Sequence, residues 1–220
     1  MSDGEGRSGH WDSPGTKASG AWVQRRRLAT AMREVIERLV TSGAPEDELR
    51  EAAVALERYA EHLETHPRLL RREGFGETSP AGDVAEFFDM SPLIGLSNPL
   101  SPPVELWTDE NRAFGRVRFG SAYEGPPGHV HGGFIAAAFD EVLGYAQSLA
   151  ENPGMTGRLT VHYRSPTPLE LELRFEAWVE RVEGRKTITR GELYAGELLC
   201  AEAEGLFVAI DRERFRALLD

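Results

Sequence analysis

Gly125 to Glu141 reads GPPGHVHGGFIAAAFDE. The stretch opens as a turn, passes two histidines and two glycines, and becomes apolar before Asp140 and Glu141 appear side by side. From about Gly132 to Leu149 the spacing predicts one helix with apolar residues on every side: Phe134, Ile135, Ala136, Ala137, Ala138, Phe139, Val142, Leu143 and Tyr145. A helix that is apolar all round is buried all round. One side needs a sheet. The other needs a further cover, and a second copy of the chain is the economical answer.

On the helical wheel Gly133, Ala137, Asp140 and Gly144 form a narrow stripe of small residues. Glu141 lies ~100° away, beside the bulkier Phe134, Ala138 and Tyr145. Small residues let another backbone approach, so the helix–helix contact is placed on that stripe, with Asp140 in a tight, partly dry seam. An ionised carboxylate in such a seam is costly unless paired or hydrated. Two readings follow: a structural acid bonded to threonine or backbone groups across the seam, or a general base or nucleophile tuned by its surroundings.

Gly132 and Gly133 stand where the helix begins, and its first N–H groups have no intrahelical partners. Such a turn suits an anion or a developing oxyanion; the alternative is that the glycines only shape the turn. Gly132 and Asp140 are eight residues apart, ~12 Å along one helix. One reacting carbonyl does not easily touch both. Two antiparallel helices would bring Gly132 of one chain towards Asp140 of the other, so any chemistry belongs to a dimer interface with two equivalent sites.

Around this helix the period is two. Val104 to Thr108 and Ala113 to Phe119 precede it as short strands. After it, Leu159, Val161 and Tyr163 alternate with polar residues, and LELELRFEAWVE sets Leu169, Leu171, Leu173, Phe175, Ala177 and Val179 on one face. Lys186 to Tyr194 and Glu197 to Ile210 complete the set, and Asp211 to Leu219 is a short amphipathic close. Short turns between alternating strands predict an antiparallel sheet with one wet face, covered by the apolar helix.

The N-terminal third is different. Residues 1–20 are rich in Gly, Ser and Asp and are expected to be a disordered tail. Its GEGRSG has no preceding strand, so it is a chance match to a dinucleotide-binding pattern. Residues 21–67 predict a helical hairpin. Leu28, Met32, Val35, Ile36 and Leu39 make one apolar stripe, and Leu49, Ala53, Leu56, Ala60 and Leu63 make a second, after Pro45 and three acids at the helix start. Arg25, Arg26 and Arg27 read as a solvated face. Gly74 to Pro103 has no clear period, and residues 68–220 are taken as the main domain.

The chain of 220 residues carries a formal charge of −11, which opposes nucleic-acid binding and docking on anionic membranes. Its one cysteine, Cys200, allows no internal disulfide, and with neither a signal peptide nor a membrane span in view a cytoplasmic location is expected. His129 and His131 lack a convincing third ligand, so no metal is expected; His131 instead anchors the turn before the helix through its ring nitrogens. No GxSxG elbow is present, and Cys200 has no evident basic partner.

GPPGHVHGGFIAAAFDEVLG followed by TGRLTVHYRSPTPLELEL resembles the hotdog-fold acyl-CoA thioesterases of the phenylacetate-degradation and THEM-like type. The resemblance covers roughly Val104 to Ile210. It implies an α+β hotdog fold, a long helix wrapped in an antiparallel sheet, with protomers paired through their helices as a homodimer or a dimer of dimers. It implies hydrolysis of an acyl-CoA thioester, with no cofactor beyond the coenzyme A of the substrate. By position, Asp140 would be the base or nucleophile, and Gly132 would offer its N–H to the thioester carbonyl. Thr156 would help hold the water or the acid. His131, Gly133 and Arg164 fall on the substrate-binding side, Arg164 near the coenzyme A portion. Some relatives carry a polar amide where this chain has Gly125. The hairpin lies outside the resemblance and could lid an acyl tunnel, extend a dimer or shield the sheet. The competing reading is a dimeric acyl-CoA binding module without turnover. A hotdog hydratase, which needs a helix histidine, fits poorly with an acid at position 140. Phe134, Phe139 and Tyr145 suggest an apolar or aromatic acyl group, although such residues also serve a core.

Overall fold

The computed structural model describes residues 20–67, 89–150 and 154–209. The expected tail (all but Gly20), the first half of the Gly74–Pro103 stretch and the closing segment Asp211–Leu219 lie outside the described residues. Two strands precede the central helix and four follow it. They are β1 Glu105–Asp109, β2 Arg112–Arg118, β3 Gly154–Tyr163, β4 Glu172–Glu183, β5 Lys186–Ala195 and β6 Leu198–Ala209. They form one sheet in the order β1-β2-β4-β5-β6-β3, antiparallel at every pairing. Its tight turns place Glu110, Gly184 and Gly196 at positive φ, the region glycine enters at little cost.

The central helix, Gly132–Gln147, is the third helix of the described chain and is called α3. It lies against β2 to β6. Ile135, Ala138, Phe139, Val142, Leu143 and Ala146 are buried there, and the Phe139 ring meets Phe175 of β4 edge-on at 5.0 Å. Burying a side chain of this size is worth ~1.5–3 kcal/mol, so this contact surface holds helix and sheet together. The other face of the sheet is wet. Arg158 and Arg190 both pair with Glu204, and Arg112 pairs with Glu176.

One detail departs from the expected pattern. Leu171 was expected on the buried face of β4 but is exposed, because the strand begins only at Glu172. Glu170 takes φ 63 and its N–H donates to Phe119 O at 2.9 Å, a turn that breaks the alternation between Leu169 and Leu173. Within the single chain α3 is not covered all round. Gly133 and Asp140 are exposed and Ala137 and Gly144 are half-buried, so the small stripe is the face that the single chain leaves open.

Both N-terminal helices form, α1 at Ala21–Leu39 and α2 at Glu46–Glu64. Their apolar stripes are exposed: Leu28, Val35 and Leu39 on α1, and Leu49, Leu56 and Leu63 on α2. Instead α1 docks through the face of Arg26, Ala29, Arg33 and Glu37. Arg26 Nε donates to both oxygens of the buried Asp89 at 3.0 and 3.1 Å, so it leaves the solvated face expected of the arginine run. Arg33 Nη1 donates to Asn98 O at 2.9 Å. The Glu37 carboxylate accepts the N–H groups of Ser121 and Ala122 at 2.7 and 3.0 Å. Polar docking prevailed because the body presents unpaired carbonyls and N–H groups here, which stabilise only when matched. No described helix is long and apolar enough to cross a membrane.

Candidate active site

The turn before α3 is built backbone first. His131 N–H donates to Tyr123 O and Val130 N–H to Thr167 O, both at 2.9 Å. The chain then enters the helix with His131 as its N-cap. Its Nδ1 accepts the Gly133 N–H at 3.0 Å, which leaves the ring hydrogen on Nε2. The expected anchoring role of the ring is therefore the geometry seen here. His129 turns elsewhere, its Nδ1 2.8 Å from Pro127 O, so the two histidines do not share a ligand position.

The Gly132 N–H has no acceptor among the described residues. It is the first N–H of a helix, where the macrodipole is positive. The Gly132 carbonyl accepts the Tyr163 hydroxyl at 2.7 Å, which fixes the orientation of that peptide. Tyr163, the last residue of β3, did not stand out in the sequence beyond its place in an alternating strand. Gly125 is confined: a Cβ there would sit 2.7 Å from His131 Cα. The turn and a side chain at 125 cannot both be accommodated without movement.

Asp140 lies two turns further along α3, exposed on the small stripe. Thr156 Oγ1 donates to its Oδ1 at 2.8 Å. This contact depends on a bulge. The β3–β6 register shifts between Thr156 and Arg158, which reverses the alternation set by Leu159, Val161 and Tyr163. Thr156 is thereby aimed at α3 and Met155 is left exposed. Bulges that re-aim one side chain recur beside functional sites.

Glu141 faces another way. Ser91 Oγ donates to its Oε1 at 3.2 Å. Burial pushes its carboxyl up; the Ser91 bond opposes this, and the Asp140 charge adds to it. The helical step between the two acids separates them: in the single chain Asp140 is open and Glu141 is enclosed. Arg164 pairs with Glu202 and lines a small pocket of about 170 Å³ on the wet face of the sheet with His162 and Trp178. It shares no hydrogen bond with Gly132, Asp140 or Thr156 among the described residues.

One solved structure, described as a thioesterase superfamily protein, is 33% identical to this chain and superposes with a TM-score of 0.74, covering 87% of this chain and 92% of its own. The chain belongs to the thioesterase superfamily. The superfamily pattern matches residues 127–201, which span the turn, α3, Asp140, Thr156 and Arg164, and the fold is the hotdog. Both N-terminal helices lie outside that match. Acyl-coenzyme A thioesterase THEM4 of Xenopus laevis is 37% identical over 93 residues, covering 41% of this chain and 42% of that protein. The THEM4 of Mus musculus is 31% identical over 107 residues, covering 48% and 46%. This superfamily chain thus spans less than half the length of the THEM4 relatives it matches.

Proposed function

We propose that the protein hydrolyses acyl-CoA thioesters to the free acid and coenzyme A, at a site shared by two copies of the chain. The observation that carries this is the pairing of the exposed Asp140, held by Thr156 at 2.8 Å, with a helix whose first N–H, that of Gly132, has no acceptor among the described residues. Superfamily membership and the resemblance to the THEM4 thioesterases support the thioester class.

Asp140 and Gly132 are ~12 Å apart on one α3 by the helical rise, too far to share a carbonyl. Two α3 helices packed antiparallel on their open small stripes would put Gly132 of one copy opposite Asp140 of the other. The exposure of Gly133 and Asp140 in the single chain supports that contact. Thr156 occupies Asp140 Oδ1, so Oδ2 takes the proton of a water molecule. The water oxygen attacks the thioester carbon, and the Gly132 N–H receives the oxyanion as it forms. Collapse breaks the C–S bond, and the proton on Asp140 passes to the departing coenzyme A sulfur. Dimer formation also excludes bulk water from the seam, which strengthens each of these interactions.

The test is thiol release from a panel of acyl-CoAs by wild type and Asp140→Asn, with a single turnover in ¹⁸O-water. Turnover in wild type that is lost in the variant, with label in the product acid only, supports the scheme. Label in Asp140 replaces general-base catalysis by direct attack. Saturable binding without turnover makes the protein a binding module.

A further inference from the structure

Between α1 and the turn before α3 lies a cavity of about 530 Å³, within the ~300–1,000 Å³ typical of small-molecule sites. Its walls come from three places. Ile36 stands on α1, Leu100 and Pro103 stand on the segment before β1, and Tyr123 and Phe134 stand on the two sides of the catalytic turn.

The polar residues around it are already engaged. Arg118 pairs with Glu170 at 2.8 Å and Arg38 with Glu34 at 3.7 Å. Arg33 donates to the carbonyls of Leu96 and Asn98. Glu37 caps Ser121 and Ala122, and glycine at 120 leaves room for its carboxylate, which a Cβ there would approach to 2.5 Å. What these pairs leave for a guest is aliphatic and aromatic surface, which favours an uncharged apolar group.

Two of the cavity's wall residues, Tyr123 and Phe134, also border the turn that carries Gly132. Tyr123 accepts the His131 N–H through its carbonyl at 2.9 Å while its ring meets Phe134 edge-on at 4.9 Å. Phe134 belongs to the first turn of α3, two residues after Gly132, and also contacts the His131 ring, with centroids 6.3 Å apart. The cavity thus lies next to the first turn of α3, with the Phe134 and Tyr123 rings between it and Gly132.

We propose that this cavity receives the tail of an apolar acyl group, and that α1, which lies outside the superfamily match, supplies the wall that sets how long a tail is accepted. The proposal rests on the thioesterase reading. It assigns α1 the tunnel-lining role among those open to the N-terminal helices, and it makes Ile36, Leu100 and Phe134 specificity determinants rather than catalytic residues.

The test fills the cavity from opposite walls with Ile36→Trp and, separately, Leu100→Trp. Both residues line the cavity and neither belongs to the core, so a larger ring is tolerated by the fold while reducing the space the cavity offers. The readout is the ratio of kcat/KM for decanoyl-CoA to that for butyryl-CoA, with KM and kcat resolved, alongside decanoyl-CoA affinity by calorimetry. The expected result is a fall of at least ten-fold in the ratio for both variants, carried by KM. Turnover with an unchanged ratio in both variants overturns the cavity assignment and leaves the thioesterase reading intact. If no acyl-CoA is hydrolysed, a ten-fold loss of decanoyl-CoA affinity in the variants upholds the cavity while the hydrolytic reading falls. Unchanged affinity in that case overturns the cavity assignment too.

Discussion

Thr156 and Tyr163 stand seven places apart on β3 and grip the two ends of the α3 face that bears the proposed chemistry. Thr156 donates to Asp140 and Tyr163 to the Gly132 carbonyl, at 2.8 and 2.7 Å. One strand therefore sets the orientation of both the acid and the first helical peptide.

Thr156→Val is expected to lower kcat about ten-fold or more, because a hydrogen bond to a charged group is worth ~1.5–3 kcal/mol. Thr156→Ser keeps the donor and is expected to recover most of the loss. Tyr163→Phe removes a neutral bond worth ~0.5–1.5 kcal/mol and has the smaller effect. Steady-state thiol release ranks the three, and near-equal rates for Val and Ser would remove the hydroxyl from the mechanism.

Asp140→Asn preserves shape and acceptor geometry at Oδ1 but cannot take a proton. Turnover should drop about 10²- to 10⁴-fold, the usual worth of general-base catalysis, while the melting temperature stays close to wild type. A variant retaining full turnover would return Asp140 to a structural role.

Gly125→Asn sets a Cβ 2.7 Å from His131 Cα. Overpacking of this kind costs ~1–3 kcal/mol. The denaturation midpoint should fall and activity should fall with it, because the same backbone carries the turn. A stable, more active variant would mean that the turn shifts freely.

Glu37 ties α1 to the body, and its removal has a pH signature. Burial alone would raise its carboxyl, but the N–H groups of Ala122 and Ser121 prevail and hold it below the ordinary carboxylate value. Its contribution is present above that ordinary value and is lost as pH falls through the folded one. Glu37→Ala should cost ~1 kcal/mol, as for a lost helix cap, at neutral pH and little in acid. Melting curves across pH measure the difference, and a gap between variant and wild type that is constant down to acid pH would refute it.

Glu141 behaves in the opposite sense. Its buried carboxyl is pushed up, so the folded chain binds that proton more tightly than the unfolded chain. Stability is highest below the ordinary carboxylate value and declines as pH rises through the folded one. Glu141→Gln should raise the melting temperature at neutral pH and flatten its pH dependence, while the Ser91 hydroxyl keeps an acceptor. A variant less stable than wild type at neutral pH would show that the charged form is the one stabilised.

The sheet and its helix were legible because their periods are unambiguous. Leu173, Phe175 and Ala177 alternate in the sequence and are buried in β4. Leu171 misled because a turn residue with positive φ interrupts an otherwise regular alternation, and glutamate gives no warning of such a turn. The face by which α1 docks was not legible for a different reason. Amphipathicity shows which face prefers burial, but the face that docks was decided by carbonyls and N–H groups of segments far away in sequence.

The sequence by itself determined the elements, their order, the acid on the small stripe and the glycine turn that opens the helix, because these depend on local spacing and backbone preference. Only the tertiary structure decided that a bulge turns Thr156 onto Asp140, that Tyr163 closes on Gly132, and that α1 walls a cavity behind Phe134. Each of those relationships joins residues that are distant along the chain, and local periodicity carries no information about which distant groups the fold will bring within a hydrogen bond.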